Sequence, residues 1–156
     1  MTPQLRNHVL DVYAAVDAAV AAAAPRCDAS GRCCRFGEYG HTLFLSHFEV
    51  ELLLETAPPY AKPVGRDGCP FQVDNLCTAR QERPLGCRIY FCDPTYQDTG
   101  HRITEEAIAQ LKRLADEFDA GWRYAPLHIF LNEADRPNTT DGGPSSTSGR
   151  VSLPLA

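Results

Sequence analysis

Apolar residues recur at spacings of three and four near the start of the chain, which is the pattern of one face of a helix. The residues in this pattern are Leu5, Val9, Val12, Val16 and Val20. Thr2 and Pro3 precede them in the order typical of an N-cap and a first helical residue. The sequence therefore predicts a helix over residues 3–24, ending near Pro25.

The middle of the chain predicts a strand and a second helix. Residues 39–45 (YGHTLFL) have the composition of a short strand. Ser46 and Glu49 follow with the spacing of a capping box, which predicts a helix through about Thr56. Residues 57–100 are rich in Pro, Gly and Asp, so we expect mainly turns and short helical pieces there.

A third helix is predicted over residues 104–120, because acidic side chains follow Thr104 where the helix dipole favours them. Gly121 is a suitable C′ residue, and the predicted buried face consists of Ile108, Leu111, Ala115 and Phe118. Residues 122–134 predict an extended segment, and the polar stretch 135–156 predicts a disordered tail. We expect one domain over residues 1–134, a small α-rich α+β fold organised around a cysteine-ligated metal centre.

Composition and charge exclude some classes of partner. The chain has 156 residues, of which 44% are hydrophobic, and its net charge of -5 does not favour nucleic acid. No apolar run approaches the roughly 20 residues that span a bilayer. Asp11 and Asp17 interrupt the stretch where a secretory signal would need an apolar core. The expected compartment is the cytoplasm.

The cysteines are segregated in one part of the chain. All seven lie between positions 27 and 92, and they are Cys27, Cys33, Cys34, Cys69, Cys77, Cys87 and Cys92. In a reducing compartment such a cluster favours metal binding or redox chemistry over disulfides, and an odd number does not close a disulfide framework. Four thiolates can hold zinc or an iron–sulfur cluster. All seven cysteines are therefore candidate metal ligands.

Neighbouring residues bear on this prediction. Six arginines lie within a few positions of a cysteine and could compensate thiolate charge, namely Arg26, Arg32, Arg35, Arg80, Arg83 and Arg88. His41 or His47 could complete a mixed site, although surface or capping roles are favoured. No C-x2-C zinc knuckle is present, which favours an iron–sulfur cluster slightly over zinc. No nucleophile elbow, P-loop or dinucleotide motif occurs, so no catalytic residue is assigned.

Three motifs together resemble a known bacterial family. They are the sequence CDASGRCC at Cys27–Cys34, CPF at Cys69–Phe71, and RPLGCR at Arg83–Arg88 with Cys77 ahead of it. This order is similar to the YkgJ-like cysteine-cluster family, a zinc- or iron-chelating domain whose first motif is CxxCxxCC. Ser30 stands at the place of the second cysteine, and Cys92 is an additional downstream cysteine. The resemblance implies a metal-binding module and no established reaction.

Three functions follow from the sequence as hypotheses. The first is a metal-binding protein that holds an iron–sulfur cluster or zinc. The second is a redox or electron-transfer enzyme that uses the cluster or a reactive thiol, and the third is a disulfide-bonded exported protein. Cys33 and Cys34 point in different directions from consecutive positions. We therefore expect one of them to face the metal with Cys69, Cys77 and Cys87, and the other to lie with Cys27, either farther out or at a second site.

Overall fold

The computed structural model describes residues 1–135, and the predicted tail beyond Asp135 lies outside these residues. Within them the chain forms six helices: α1 (Pro3–Ala23), α2 (Phe36–Tyr39), α3 (His47–Thr56), α4 (Leu85–Ile89), α5 (Gln97–Glu117) and α6 (Leu127–Glu133). It also forms two antiparallel strand pairs, β1 (Phe44–Ser46) with β4 (Tyr124–Pro126) and β2 (Gln72–Val73) with β3 (Leu76–Cys77). This is a small α-rich α+β domain, as the sequence predicts.

The two helices with strong local signals are confirmed. The Thr2 side chain accepts a hydrogen bond from the Leu5 N–H at the start of α1, and Leu5, Val9, Val12 and Val16 are buried. The capping box of α3 is complete, because the Ser46 hydroxyl accepts from the Glu49 N–H while the Glu49 carboxylate accepts from the Ser46 N–H. Both helices begin where a local side chain satisfies otherwise unpaired N–H groups.

Three predicted boundaries are wrong. The strand expected over residues 39–45 is confined to Phe44–Ser46, and its first residues belong to the turn that ends α2. α5 begins at Gln97 rather than Thr104, and Ile108 and Phe118 are only partly buried, whereas Leu111 and Ala115 lie on its buried face. The segment expected to be extended contains α6, because Leu127, Phe130 and Leu131 share one buried helical face.

Two hydrophobic cores meet at α3. Phe48 and Leu52 pack in the first core, which also contains the buried faces of α1 and α5. Val50 and Leu53, on the other side of α3, pack in the second core with residues of β1 and α6. Cys69, Cys77 and Cys87 pack against the second core, so this core positions the cysteine-bearing segments.

Pairing between distant segments closes the second core. β1 and β4 are antiparallel in the register Leu45↔Ala125, and each strand leads directly into a helix. β2 and β3 form a two-residue hairpin whose turn residues, Asp74 and Asn75, both have positive φ, as a type I′ turn requires. Among residues 1–135, no helix is long and apolar enough to cross a membrane.

Candidate metal centre

Five of the seven cysteines line one small cavity in the second core. Its volume is about 30 Å³, and its sulfur-bearing lining residues are Cys33, Cys34, Cys69, Cys77 and Cys87. They come from four separate pieces of backbone: the turn Arg32–Cys34, the loop before Phe71, the β2–β3 hairpin and α4. All seven thiols of the chain are free, so the disulfide framework weighed as a third hypothesis is not seen.

The turn that carries Cys33 and Cys34 is fixed against the hairpin. Gly31 precedes it with φ 72°, and its carbonyl accepts a 2.9 Å hydrogen bond from Gln72 Nε2. A Cβ at Gly31 would collide with that same Gln72 side chain. Glycine is therefore required here both for its left-handed backbone and for the close approach of the hairpin.

Backbone hydrogen bonds place the next two cysteines. The Cys69 N–H donates to the Cys34 carbonyl at 2.9 Å, which joins the two loops directly. Cys77 is the last residue of β3 and pairs with Gln72 across the hairpin. The tight turn at Asp74 and Asn75 thus determines where the Cys77 side chain enters the cavity, and Asp74 serves the turn, as expected for such segments.

Cys87 is placed by a buried carboxylate on another helix. Glu49 of α3 is 1% exposed, and its Oε1 accepts a 2.8 Å hydrogen bond from the Leu85 N–H at the start of α4. Pro84, which precedes α4, has no N–H to satisfy, and the Cys87 N–H donates to the Pro84 carbonyl at 2.9 Å. The capping box of α3 and the cysteine of α4 are therefore one connected unit.

The thiol of Cys34 lies at the centre of the cluster. Its sulfur is 3.9 Å from that of Cys33, and it also interacts with the sulfurs of Cys69 and Cys77. Hydrogen bonds with these sulfurs raise the pKa of Cys34, whereas hydrogen bonding to Cys34 lowers the pKa of Cys33 and of Cys77 to about 6. The same contact lowers the pKa of Cys69, and burial raises that of Cys87.

Of the six arginines predicted to compensate thiolate charge, Arg83 fits this role best. It lines the cysteine cavity, and its Nε is buried with no hydrogen-bond partner among residues 1–135. Its charge favours the thiolates of Cys33 and Cys77 and opposes the rise that burial causes in the pKa of Cys87. Arg80 also lowers the pKa of Cys77. The other four have partners elsewhere: Arg26 pairs with Asp28, Arg32 lies over the Tyr39 ring, Arg35 pairs with Glu38, and Arg88 pairs with Asp17.

Two cysteines lie outside the cavity. Cys27 is exposed, and Cys92 is partly buried with its sulfur 3.7 Å from the Ser30 hydroxyl oxygen. Cys33 and Cys34 both line the cavity, whereas Cys27 does not, and the expectation that only one of the pair faces a metal stays a prediction. The two differ in burial, since Cys34 is buried and Cys33 is partly open. The pair shares a tight turn, which lets consecutive side chains reach the same space.

The two histidines named in the sequence differ in their relation to the cluster. His41 lies beside it, with Nε2 3.5 Å from the Cys33 carbonyl oxygen, and its ring stacks on Tyr90. The ring of His47 instead accepts a hydrogen bond from the Arg123 N–H at the start of α3. No motif in the sequence indicates Tyr90, which lies between α4 and Cys92, as a candidate site residue.

The sulfurs as placed do not converge on an ion position. Across residues 1–135, no group of three or more His, Cys, Asp or Glu side chains has the arrangement of a formed metal site. The cluster is instead a set of sulfur–sulfur contacts centred on Cys34, whose pKa is raised by hydrogen bonds with the neighbouring sulfurs. Ligation would require loss of the Cys34 proton and small rotations of side chains that already share the cavity.

Thiolate titration should reveal the cluster in the metal-free, reduced protein. As the pH is raised, the ultraviolet absorbance of the folded protein's thiolates should increase with a midpoint near pH 6 for Cys33 and Cys77. In the unfolded chain the midpoint should lie at about pH 8.5. Because the folded pKa is lowered, these thiolates stabilise the fold above the unfolded pKa, and this contribution is lost as the pH falls through about 6.

Arg83 provides the matched test of the electrostatic part of this prediction. Arg83→Met should raise the midpoint, because a positive charge that favours both thiolates is removed. Arg26→Met removes an equally charged residue that pairs with Asp28 and should leave the midpoint unchanged. A single transition near 8.5 in the folded wild-type protein would contradict the cluster geometry.

Comparison with known proteins finds no similar protein. No protein-family model, no curated protein and no solved structure matches the chain. The interpretation of the cysteine cavity therefore depends on the residues and geometry described above.

Proposed function

We propose that this protein is a metal-binding protein that holds zinc or an iron–sulfur cluster through its clustered cysteines, in a reducing compartment. The observation that carries the proposal is the meeting of five thiols from four backbone segments at one cavity, with an arginine beside them. Thiols used only as small apolar side chains have no reason to contact one another. Free thiolates beside a cation are, by contrast, the form in which cysteine binds metals.

The dimensions of the cavity support a single ion more directly than a cubane. In a zinc–sulfur tetrahedron with bonds of about 2.3 Å, neighbouring sulfurs lie about 3.8 Å apart. The Cys33 and Cys34 sulfurs are 3.9 Å apart, which is close to this value, and the cavity that they line is small. In a cubane each thiolate binds a different iron, which requires wider spacing of the sulfurs. Cys33, Cys69 and Cys77 each interact with the central Cys34 thiol, so these four are the proposed ligands, with Cys87 as the adjoining fifth sulfur.

Protection of individual cysteines from alkylation tests this function. In metal-loaded protein, the five cavity cysteines should react slowly with iodoacetamide, while the exposed Cys27 should react rapidly. A chelator should then accelerate modification of the cavity cysteines and leave Cys27 unchanged, as peptide mass spectrometry would show. Equal rates for cavity cysteines with and without chelator, in protein supplied with zinc or iron, would contradict metal binding at the cavity.

A second candidate function is favoured by one observation. Cys33 and Cys77 are only partly buried, and hydrogen bonding to Cys34 lowers the pKa of each to about 6, as in reactive redox thiols. A redox or electron-transfer enzyme would expose one fast thiol even when metal is present. Rapid alkylation of Cys33 or Cys77 in metal-loaded protein would therefore favour this candidate, and uniform protection would favour the first.

A further inference from the structure

A cleft opens directly beside the cysteine cavity. Its first half has a volume of about 290 Å³ and shares Cys33 with the cysteine cavity. Its second half, of about 390 Å³, continues from the first because Thr42, Gly86 and Tyr90 line both. We call this space, from Cys33 to Tyr96, the Tyr90 cleft. Small-molecule sites commonly have this size and concave shape.

The walls of the cleft are aromatic. Four of the eight residues that line its first half carry aromatic or imidazole rings. His41 stacks on Tyr90 with ring centroids 5.0 Å apart, and Phe44 stacks on Tyr124 at 5.8 Å. Phe44 is 44% exposed, and Tyr90 and Tyr124 are 39% and 40% exposed, so large ring surfaces remain open to a ligand. Such rings favour a planar aromatic partner.

The lining of the cleft also indicates the charge of its ligand. Among residues 1–135, no Asp, Glu, Lys or Arg lines either half, and Cys33 is shared with the cysteine cavity. A phosphate or carboxylate ligand would find no Lys or Arg partner there and would lie beside the sulfur cluster. The lining therefore favours a neutral molecule over an anion, because an anion would lose hydration without gaining a cationic partner.

Each half of the cleft contains a buried polar atom without a partner. In the first half this atom is His41 Nδ1, and in the second half it is the hydroxyl of Tyr96, a residue that is 5% exposed. The Cys33 carbonyl oxygen, 3.5 Å from His41 Nε2, favours the tautomer with the proton on Nε2. His41 Nδ1 is then an unpaired hydrogen-bond acceptor, and pairing it with a donor on the ligand requires the ring to turn away from the Cys33 carbonyl.

We propose that the Tyr90 cleft binds a neutral, planar aromatic molecule that carries a hydroxyl or ring N–H group. The ring packs against Tyr90 and the Phe44–Tyr124 pair, and the donor pairs with His41 Nδ1. The proposal does not require a bound metal, because the contacts with the ligand are made by aromatic rings and His41 and not by a sulfur.

Phenol is a suitable probe for the full-length, reduced protein. Its addition should produce saturable shifts in the NMR signals of His41, Tyr90 and Tyr124. Toluene, which lacks the hydroxyl, and benzoate, which is charged, should each bind about fivefold more weakly, as expected for loss of one hydrogen bond or addition of an unpaired charge. Absence of saturable shifts, or equal affinity for phenol and toluene, would overturn the proposal.

Two variants locate the binding. Thr42→Trp fills the junction of the two halves at an exposed position and should abolish the phenol shifts, whereas Thr56→Trp, exposed at the end of α3, should not. His41→Phe keeps a stacking ring and removes Nδ1, so it should lower phenol affinity to that of toluene while leaving toluene affinity unchanged. Phenol binding that survives Thr42→Trp would place the ligand elsewhere and refute the assignment.

Discussion

Replacing Cys69 or Cys77 by serine should abolish metal binding, with at least about a 100-fold loss of affinity. Both residues line the cavity, and each interacts with the central Cys34 thiol. A serine hydroxyl is a hard, weakly acidic donor and a poor ligand for zinc or iron at neutral pH. Metal content per chain after desalting, measured by atomic emission, is the direct readout.

Ser30 and Cys27 provide the controls for this prediction. Ser30 stands where the resembling family has a cysteine, but its hydroxyl contacts Cys92 and it does not line the cavity. Ser30→Ala and Cys27→Ser should therefore retain the wild-type metal content. Loss of metal in the Ser30 variant, or full retention in both cavity variants, would overturn the ligand assignment.

Removal of the Glu49 carboxylate should produce the largest loss of stability. Its oxygens accept hydrogen bonds from the Ser46 N–H at 2.7 Å, the Ser46 hydroxyl at 2.8 Å and the Leu85 N–H at 2.8 Å. Glu49→Ala leaves these buried donors unpaired and creates a cavity between the two cores. The free energy of unfolding should fall by about 3–5 kcal/mol, which urea denaturation of the metal-free protein would measure.

A conservative variant separates the two halves of this network. Glutamine has one acceptor oxygen, so Glu49→Gln can keep the bonds to Ser46 while presenting an amide N–H₂ to the Leu85 N–H. Its cost should be about 1–3 kcal/mol. The neighbouring Glu51 is exposed and pairs with the N-terminal amine, so Glu51→Ala should change stability by less than about 1 kcal/mol. Equal effects of Glu49→Ala and Glu51→Ala would show that the buried network is unimportant.

The parts of the fold that sequence reasoning predicts are those fixed by local signals. The caps of α1 and α3 satisfy backbone groups with side chains within three residues, so the pattern alone indicates them. The start of α5 is different, because Gly100 disfavours a helix locally. In the structure a Cβ at Gly100 would lie 3.0 Å from the Tyr96 ring, so glycine allows this ring to pack against the first turn. This stabilisation comes from tertiary packing, so the sequence pattern does not indicate it.

The candidate site, like the fold, is only partly predictable from the sequence. Segregation of the cysteines identifies all seven as candidate ligands, but their partition into five cavity residues and two outer ones depends on long-range contacts. The hydrogen bond from Cys69 to Cys34 and the one from Leu85 to Glu49 each join segments more than thirty residues apart. The preference for an iron–sulfur cluster in the sequence depends on the missing zinc knuckle and the abundance of sulfur. The 3.9 Å spacing of the Cys33 and Cys34 sulfurs depends on the conformation of their turn, which the sequence pattern does not specify.

Metal and sulfide analysis of protein purified without oxygen tests the central claim most directly. We expect near-stoichiometric zinc or iron per chain. A chelator should remove this metal and, with it, the protection of the cavity cysteines from alkylation. Labile sulfide with broad visible absorption would identify the iron–sulfur form, and a colourless zinc protein would identify the single-ion form. Protein that contains neither metal, and that takes up neither when supplied with them under reducing conditions, would contradict the claim that these cysteines form a metal centre.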